Sequence, residues 1–342
     1  MPHNIAFAQP FKGKKILITG ATGFTGRALT HKLIDAGAEI RIIARESSDA
    51  GDLADESITW FRGDVADPEL AQHATDGVEY IFHIAAAFRE VKATEEDYRN
   101  IHLYSTQNLA RAVQYQPQFK RFIHTSTVGI HGHIPDDDLA DEKYRYDAGD
   151  AYQSTKLEGE LWLHEFGKKS GLPYTVIRPA AIYGPGDRRL LKLFKMANKG
   201  FFLFFGKGKG IYHLIHVDDL TNIMLKAAID DAAVGEAFIA AANEPIPMLD
   251  MAKTIGRALG KKVRIIRLPI SPMFIAADIC NAVCTRLGID PPLHRRRVAF
   301  YTKDRKFDNS KIRHVLNYNP EYDNETGITE LAHWYQQHGW LD

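Results

Sequence analysis

Short apolar runs alternate with amphipathic stretches through the first half of the chain. Apolar runs rich in β-branched residues at 14–20 and 39–45 flank a segment, 25–37, whose apolar residues recur at helical spacing. Similar runs predict four more strands, at 58–64, 78–86, 119–127 and 174–180. Stretches of helical periodicity lie between them, including 95–115 and 152–169. This alternation predicts a parallel sheet that helices cover on both faces.

Three glycines, Gly20, Gly23 and Gly26, join the first predicted strand to the first predicted helix. In that context the first glycine permits a tight turn, the second lets the backbone approach a pyrophosphate, and the third lets the helix pack closely on the strand. The other members of the loop are Thr22, Phe24 and Thr25. The helix N-terminus would face the phosphates. The loop therefore predicts a dinucleotide site, with G-x-x-G-x-x-G spacing instead of the G-x-G-x-x-G of the common dehydrogenases.

The predicted fold class is α/β: a doubly wound parallel sheet of the Rossmann type, with ligands at the carboxyl ends of its strands. After about residue 180 glycine and proline become denser and the pattern loosens. We expect residues 1–180 to form mainly the dinucleotide-binding domain and residues 181–342 to form mainly a smaller, discontinuous substrate lobe. Part of 210–245, including the apolar piece 236–241, is expected to return to the sheet.

Composition narrows the function classes. Of 342 residues, 45% are hydrophobic and 25% are charged, and 43 basic residues balance 43 acidic ones. This balance gives no overall attraction to nucleic acid, so no nucleic-acid partner is predicted. Two cysteines, Cys280 and Cys284, are too few for a disulfide framework or a zinc site, and we expect them to be buried on a helix in a reducing cytoplasm.

Localisation follows from the apolar stretches. The N-terminal residues lack a signal-peptide core, and no run of 18 apolar residues occurs. We therefore expect a cytoplasmic protein. The most apolar long stretch, 268–288, is predicted to be a lobe helix, and a helix lying on a membrane surface, with peripheral membrane contact, is the alternative.

The residues at the end of the second predicted strand bear on the choice between NADP and NAD. An acid there would bind the adenosine ribose hydroxyls, but the chain has Ala44 and Arg45, with no carboxylate until Glu46. An arginine suits a 2′-phosphate, so NADP is predicted. NAD is the alternative, with Arg45 stacking on adenine or pointing to water. After the third strand, Asp64 could accept from the adenine amino group, beside Val65, with helix capping as its other role.

Tyr152 and Lys156 start the helix predicted at 152–169 and lie one turn apart on one face. The preceding strand, which ends at 125–127, places them near the carboxyl edge of the sheet. A nicotinamide enzyme acting on an alcohol needs a proton acceptor there, a charge that makes it basic, and a donor for the developing alkoxide. A neighbouring ammonium lowers the pKa of a tyrosine from about 10, so Tyr152 is the predicted general acid/base.

The sequence resembles the extended branch of the short-chain dehydrogenase/reductase superfamily, the NAD-dependent epimerase/dehydratase group. The matching pieces run in order: TGATGFTG (19–26), GDVAD (63–67), HIAA (83–86), HTST (124–127), YQSTK (152–156), RPAAIYGPGD (178–187) and HVDDL (216–220). The resemblance implies that Tyr152 is the acid/base, that Lys156 holds the ribose of the cofactor and lowers the pKa of the tyrosine, and that Thr127 is catalytic, with Ser126 as the second choice. Further cofactor contacts are implied for Ala85, Ala86 and Pro179. A homodimer is also implied.

Two positions bear on the substrate. Sugar-nucleotide enzymes of this branch carry an Asn where this chain has Ala181, and an Arg that meets the diphosphate where it has Tyr212. Other cations could compensate: Arg188, Arg189, Lys207 and Lys209. The phenylalanines of 201–206 offer an apolar substrate mouth, unless they belong to the lobe core.

The resemblance is closest to 3β-hydroxysteroid and sterol-4α-carboxylate 3-dehydrogenases and to dihydroflavonol-type reductases. We expect an NAD(P)-dependent oxidoreductase of a secondary alcohol or ketone on a hydrophobic small-molecule substrate. A nucleotide-sugar epimerase or dehydratase and a non-catalytic NADP-binding sensor are the alternatives. No metal site is predicted, because the spacings of the histidines do not make a ligand set. Asp218 and Asp219 are expected to cap the helix that follows them.

Overall fold

The computed structural model describes residues 6–54, 57–87, 94–135, 138–205, 210–287 and 305–342. Seven strands form its central sheet: β1 (Lys15–Thr19), β2 (Glu39–Ala44), β3 (Thr59–Arg62), β4 (Tyr80–His83), β5 (Arg121–Thr125), β6 (Tyr174–Pro179) and β11 (Ala237–Ala240). Their order is β11-β6-β5-β4-β1-β2-β3, and every neighbouring pair is parallel. The six predicted strands are thereby confirmed, and the segment expected to return to the sheet supplies the seventh.

Helices and short strands complete the architecture. The helices are α1 (Phe24–Asp35), α2 (Pro68–Ala74), α3 (Glu95–Arg99), α4 (Ser105–Val113), α5 (Ala151–Ser170), α6 (Leu191–Asn198), α7 (Val217–Ile229), α8 (Met248–Ala258), α9 (Ser271–Arg286), α10 (Ser310–Val315) and α11 (Asn324–Gln337). The short strands are β7 (Ala181–Tyr183), β8 (Phe201–Phe205), β9 (Ile211–Tyr212), β10 (Leu214–His216), β12 (Ile246–Pro247) and β13 (Arg264–Leu268). A π turn, Asn100–Tyr104, joins α3 to α4 inside the helix predicted at 95–115.

The central strands are apolar on both faces because two layers of helices bury them. Ile16 and Ile18 of β1 pack in a cluster that includes Leu29 of α1 and Ile223 of α7. Leu17, between them, packs in a second cluster with residues of α2, α4 and α5. Successive side chains of a strand point to opposite faces, so this alternation produces the doubly wound arrangement that the sequence predicts.

A third hydrophobic cluster lies in the C-terminal half of the chain. It joins Phe194 of α6, Ile255 of α8 and Leu331 of α11 to the strand β8. Phe202 and Phe204 of β8 are buried in this cluster. These two phenylalanines therefore belong to the lobe core and do not line a substrate mouth.

The helix α9 occupies most of the apolar stretch 268–288, which was predicted to be a helix. Its large apolar side chains are exposed at Ile275, Ile279, Val283 and Leu287. Cys280 and Cys284 are free thiols that are only half-buried, with their Sγ atoms 3.9 Å apart, so the expectation that they are buried was wrong. In the part of the chain that the structure describes, no helix combines the length and apolar character that a membrane crossing requires.

Candidate active site

The glycine loop packs backbone on backbone at the carboxyl end of β1. Gly20 has a φ of +73°, and a Cβ added there would lie 2.7 Å from the backbone nitrogen of Ala85. A Cβ at Gly26 would overlap the backbone oxygen of Gly20. Gly23 caps α1, whose first residue is Phe24. Side chains are thus excluded from both contacts, and Gly23 at the N-terminus of α1 is exposed.

The remaining loop residues surround this helix terminus. Thr25 is buried in the first turn of α1, and Phe24 is half-buried. The guanidinium carbon of Arg189 lies 5.8 Å from the centre of the Phe24 ring. Arg27 donates to the backbone oxygen of Thr22 at 3.3 Å, so its side chain braces the loop from the helix side.

The carboxyl ends of β2 and β3 lie along the same edge of the sheet as the loop, in the strand order β1-β2-β3. Arg45 follows β2 and is exposed, and its backbone oxygen accepts from Arg62 Nη1 at 3.2 Å. Asp64 Oδ1 accepts from the backbone nitrogen of Ala66 at 2.9 Å and shapes the turn after β3, while the next residue, Val65, is half-buried. The helix cap is Asp67, which accepts from two backbone nitrogens of α2. The capping role therefore belongs to Asp67 and not to Asp64.

Lys156 connects three elements from inside the domain. Its side chain is only 1% exposed. Its Nζ donates to the backbone oxygens of Thr125 at 2.9 Å and Ala85 at 3.3 Å, at the ends of β5 and β4. Burial lowers the pKa of Lys156 to about 7, and the charge of Glu160 opposes that shift. Two further residues predicted to contact the cofactor lie at strand ends. Ala86, after β4, is exposed, and Pro179, the last residue of β6, is buried.

Tyr152 lies in the first turn of α5, half-buried and packed edge-on against His102, with ring centres 5.3 Å apart. His102 Nε2 accepts from the backbone nitrogen of Ala87 at 3.2 Å, and its Nδ1 lies 2.8 Å from Thr155 Oγ1. His102 thereby connects the loop after β4 with the helix that carries Tyr152. Sequence reasoning missed this residue, and the only local signal is a histidine inside an apolar helical period.

The two hydroxyl candidates after β5 differ in accessibility. Thr127 is partly exposed, and its Oγ1 accepts from the backbone nitrogen of Gly129 at 3.0 Å, so its hydroxyl proton remains available for donation. Ser126 is 3% exposed and lies beside Glu160, whose pKa it helps to lower. Of these two residues, Thr127 is the more exposed.

Three buried histidines lie behind Lys156. Burial, followed by the charge of Lys156, lowers the pKa of His83 to about 3 and that of His102 to about 2. The same causes lower the pKa of His124 well below its usual value. His83 Nδ1 lies 2.7 Å from Thr19 Oγ1, which fixes its ring. All three rings are therefore neutral at pH 7. Among the described residues, no group of three or more His, Cys, Asp or Glu side chains could hold a metal ion.

These residues fit a nicotinamide dinucleotide. Thr125 Oγ1 is buried with no hydrogen-bond partner among the described residues, and the backbone oxygen of the same residue accepts from Lys156 Nζ. An ammonium has three donors, and two of those of Lys156 are used, which leaves one for a ribose hydroxyl. The glycine loop offers a backbone-lined helix N-terminus for a pyrophosphate. Both ends of a dinucleotide therefore find matching chemistry along one edge of the sheet.

Comparison with known proteins agrees with this chemistry. The model of the NAD dependent epimerase/dehydratase family matches residues 16–241, which include the glycine loop, Tyr152 and Lys156. A 2-alkyl-3-oxoalkanoate reductase of Stenotrophomonas maltophilia is 27% identical over 93% of this chain and 98% of its own length. A 3 beta-hydroxysteroid dehydrogenase/Delta 5-->4-isomerase of Mycobacterium tuberculosis is 26% identical over 94% of this chain and 90% of its own.

Solved structures share the fold. The UDP-glucose 4-epimerase of Thermotoga maritima, solved with UDP-glucose, superposes with a TM-score of 0.76 at 20% identity, covering 95% of this chain and 99% of that one. At this identity the likeness describes the architecture and not the substrate.

Proposed function

The chain belongs to the NAD dependent epimerase/dehydratase family, and from that premise we propose that it interconverts a secondary alcohol and a ketone on a lipophilic substrate. The observation that carries the proposal is the bond of 2.9 Å from Lys156 Nζ to the backbone oxygen of Thr125, which brings α5 to the carboxyl end of β5, two residues before Thr127. Tyr152 and Lys156 lie on one face of α5, and Thr127 presents its hydroxyl from the end of the strand. The glycine loop lies next to them through its contact with Ala85.

Each residue has a role in the proton chemistry. A bound nicotinamide supplies the hydride acceptor for oxidation and the hydride donor for reduction. In oxidation, Tyr152 Oη takes the proton of the substrate hydroxyl as the carbon loses hydride, and in reduction it returns a proton to the oxygen. Lys156 stabilises the tyrosinate by its positive charge. Thr127 donates a hydrogen bond to the substrate oxygen, where negative charge develops.

The proposed cofactor is NADP, with NAD as the alternative. Arg45 is exposed directly after β2, where the adenosine ribose of a dinucleotide lies in this fold, and no carboxylate precedes Glu46. A guanidinium there supports binding of a 2′-phosphate. Arg45→Gln is expected to weaken NADPH binding about tenfold or more and to leave NADH binding unchanged. The same change at Arg111, on α4, serves as the control. If Arg45→Gln changed the affinities for NADPH and NADH equally, Arg45 would not read the 2′-phosphate, and NAD would be favoured.

The positions that bind diphosphate in sugar-nucleotide enzymes lack that capacity here, which supports a lipophilic substrate. Tyr212 is buried, and the neighbouring His213 lies 2.7 Å from the backbone oxygen of Ala242. Arg188 stacks over Trp340 at 5.2 Å. Lys207 and Lys209 lie outside the described residues. The names of the steroid and alkanoate relatives also favour an apolar alcohol or ketone.

A second candidate, a nucleotide-sugar epimerase or dehydratase, is favoured by one residue. Arg189 Nε donates to Asp187 Oδ1 at 2.9 Å, yet its side chain remains 37% exposed near the glycine loop. A diphosphate could therefore reach this guanidinium.

A substrate panel separates the two candidates. Purified protein would receive NADP⁺ or NAD⁺ with 3β-hydroxysteroids and other apolar secondary alcohols, and reduced nicotinamide would be followed by absorbance. Binding of UDP- and dTDP-sugars would be measured by calorimetry. Turnover of apolar alcohols without sugar-nucleotide binding is the expected result. Micromolar binding of a sugar nucleotide without alcohol turnover would replace the proposal with the second candidate.

A further inference from the structure

A second buried charge lies one helical turn beyond Lys156. Glu160 is 0% exposed, and Lys156 is 1% exposed, on the same buried face of α5. Residues four apart on a helix are neighbours on its surface. Placing a carboxylate inside a domain is costly unless it is paired, so its presence here requires a partner and suggests a purpose.

The partner that fixes Glu160 is an arginine on a strand. Arg178 of β6 is 1% exposed, and its Nε donates to Glu160 Oε1 at 3.0 Å. His164 Nε2 lies 3.5 Å from the same oxygen. Burial alone would raise the pKa of Glu160, but His164 and Arg178 lower it to about 2. Glu160 is therefore ionised throughout the working pH range.

Arg178 is itself held in a fixed place. It donates through Nη1 to the backbone oxygen of Glu142 at 2.7 Å and through Nη2 to Tyr146 Oη at 3.0 Å. Its Nη1 also lies 3.3 Å from His131 Nε2. These bonds hold the guanidinium in the position from which it pairs with Glu160.

In the part of the chain that the structure describes, the other groups around Lys156 do not supply negative charge. Its nearest partners are two backbone oxygens, and the histidines that face it are neutral: His83 on β4, His102 in the π turn and His124 on β5. Among the described residues, Glu160 is the charged group whose field favours the ammonium form of Lys156.

We propose that Glu160 is a positioning residue for the Tyr152–Lys156 pair: its carboxylate, clamped by Arg178, keeps the Lys156 side chain charged inside the domain. The catalytic purpose of that charge rests on the proposed function, because a neutral lysine would no longer stabilise the tyrosinate. Burial lowers the pKa of Lys156 to about 7, and the charge of Glu160, one helical turn away, opposes that shift and favours the ammonium near neutral pH.

The test is a direct titration of Lys156 by NMR on the whole protein labelled with ¹³Cε-lysine. The Lys156 signal is assigned by its loss in Lys156→Arg. In the wild type it is expected to titrate near pH 7, apart from the surface lysines. Glu160→Gln is expected to lower its midpoint by about one pH unit or more, the effect of a nearby charge in a poorly solvated site. Glu158→Gln, on the same helix and paired with Arg99 nearer the surface, is expected to leave it unchanged.

Glu160→Gln leaves the buried charge of Arg178 unpaired and can fail to fold. In the double variant Glu160→Gln/Arg178→Gln the loss of the Arg178 charge, which repels the ammonium, offsets part of the loss of Glu160, so the Lys156 midpoint is expected to fall by less than in Glu160→Gln. An unchanged midpoint in either folded variant would overturn the proposal.

A pH profile of turnover gives the second readout, with the alkaline limb expected to move to lower pH in the folded variant. The NMR titration needs neither substrate nor cofactor. Failure of the proposed function would therefore appear as missing turnover in the wild type, and failure of this inference as an unmoved Lys156 titration.

Discussion

The side-chain ammonium of Lys156 lies 2.9 Å from the backbone oxygen of Thr125, so the helix α5 is tied by a buried charge to the end of β5. A second bond to Ala85 ties the same charge to the end of β4. A cation in this place destabilises the fold, because burial disfavours the charged form. Its position at the edge where ligands bind in this fold agrees with the role proposed for it in binding the cofactor.

Lys156→Met is therefore expected to separate activity from stability. Turnover should fall about 100-fold or more, because the charge that stabilises the Tyr152 anion is lost. The melting temperature at pH 7 should change little, because relief from burying an ammonium offsets the loss of a donor to the backbone oxygens of Thr125 and Ala85. Calorimetry and steady-state kinetics on the same preparation measure both. Wild-type turnover in this variant would contradict the role given to Lys156.

The two hydroxyls after β5 are expected to differ when each is removed. Thr127→Val keeps the branched shape but removes the donor, and kcat should fall about 100-fold, with a loss of about 1 kcal/mol from the missing cap to Gly129. Ser126→Ala, at a buried site, should change kcat less than about threefold. The comparison of kcat at saturating substrate decides between them. A larger loss in Ser126→Ala would transfer the catalytic role to that residue.

Gly26→Ala tests the backbone contact of the glycine loop. The added Cβ would overlap the backbone oxygen of Gly20, and the helix α1 must move away. We expect a stability loss of about 2 kcal/mol or more and at least a tenfold weaker affinity for NADPH, measured by fluorescence titration. Gly149→Ala is the matched control, because its Cβ finds an ordinary contact of 3.6 Å with the side chain of Gln153. Equal affinities in the two variants would contradict the contact's importance.

Acid is expected to destabilise the fold through its buried histidines. Histidines in the unfolded chain take up protons below about pH 6.5. In the folded chain the pKa of His83 is about 3 and that of His102 about 2, so both stay neutral. Between pH 6.5 and about 3 the unfolded state therefore binds more protons, and stability falls as pH falls, by about 1.4 kcal/mol per pH unit for each such histidine.

Denaturant titrations at pH 7, 6 and 5 measure that slope. The His102→Gln side chain retains hydrogen-bonding groups but cannot take up a proton. The slope of its unfolding free energy against pH should therefore be smaller by the contribution of one histidine. The same change at the exposed His314 should leave the slope at its wild-type value. Stability that does not change from pH 7 to 5 would mean that these histidines are protonated in the folded protein.

Most of the sheet could be predicted because its strands are buried on both faces and end at turn residues. The run at 14–20, for example, has apolar residues at both alternating sets of positions, and the structure places Ile16 and Leu17 in different clusters. The glycine loop was predictable for a similar reason, since Gly20 carries a backbone conformation that other residues rarely adopt.

Contacts between distant segments could not be predicted from local patterns. The π turn arises where the backbone oxygen of His102 packs against Gly159, a contact that a Cβ would block. Asp218 and Asp219 were expected to cap α7, and that was wrong. His216 caps the helix instead, and Asp219 is buried and accepts from Tyr318 Oη at 2.6 Å. Partners about 100 residues away decide these roles.

The pairing of Glu160 with Arg178 could not be predicted either, because it joins a helix to a strand that is distant in sequence. In sequence, Glu160 is one of several charges on a helix and is indistinguishable from Glu158, which lies nearer the surface. Only the position of β6 beside α5 shows that one of them faces the interior.

The most direct test of the central claim compares hydride transfer in the wild type, Tyr152→Phe and Tyr98→Phe. Pregnenolone, a 3β-hydroxysteroid, and NADP⁺ serve as the probes, and NADPH affinity is measured alongside. Tyr98 lies 6.5 Å from Tyr152 between ring centres, so its variant removes a neighbouring hydroxyl without removing the acid/base. We predict turnover in the wild type and in Tyr98→Phe, and a loss of about 100-fold or more in Tyr152→Phe with unchanged NADPH affinity. Turnover in Tyr152→Phe at the wild-type rate would contradict the claim that this tyrosine exchanges the proton.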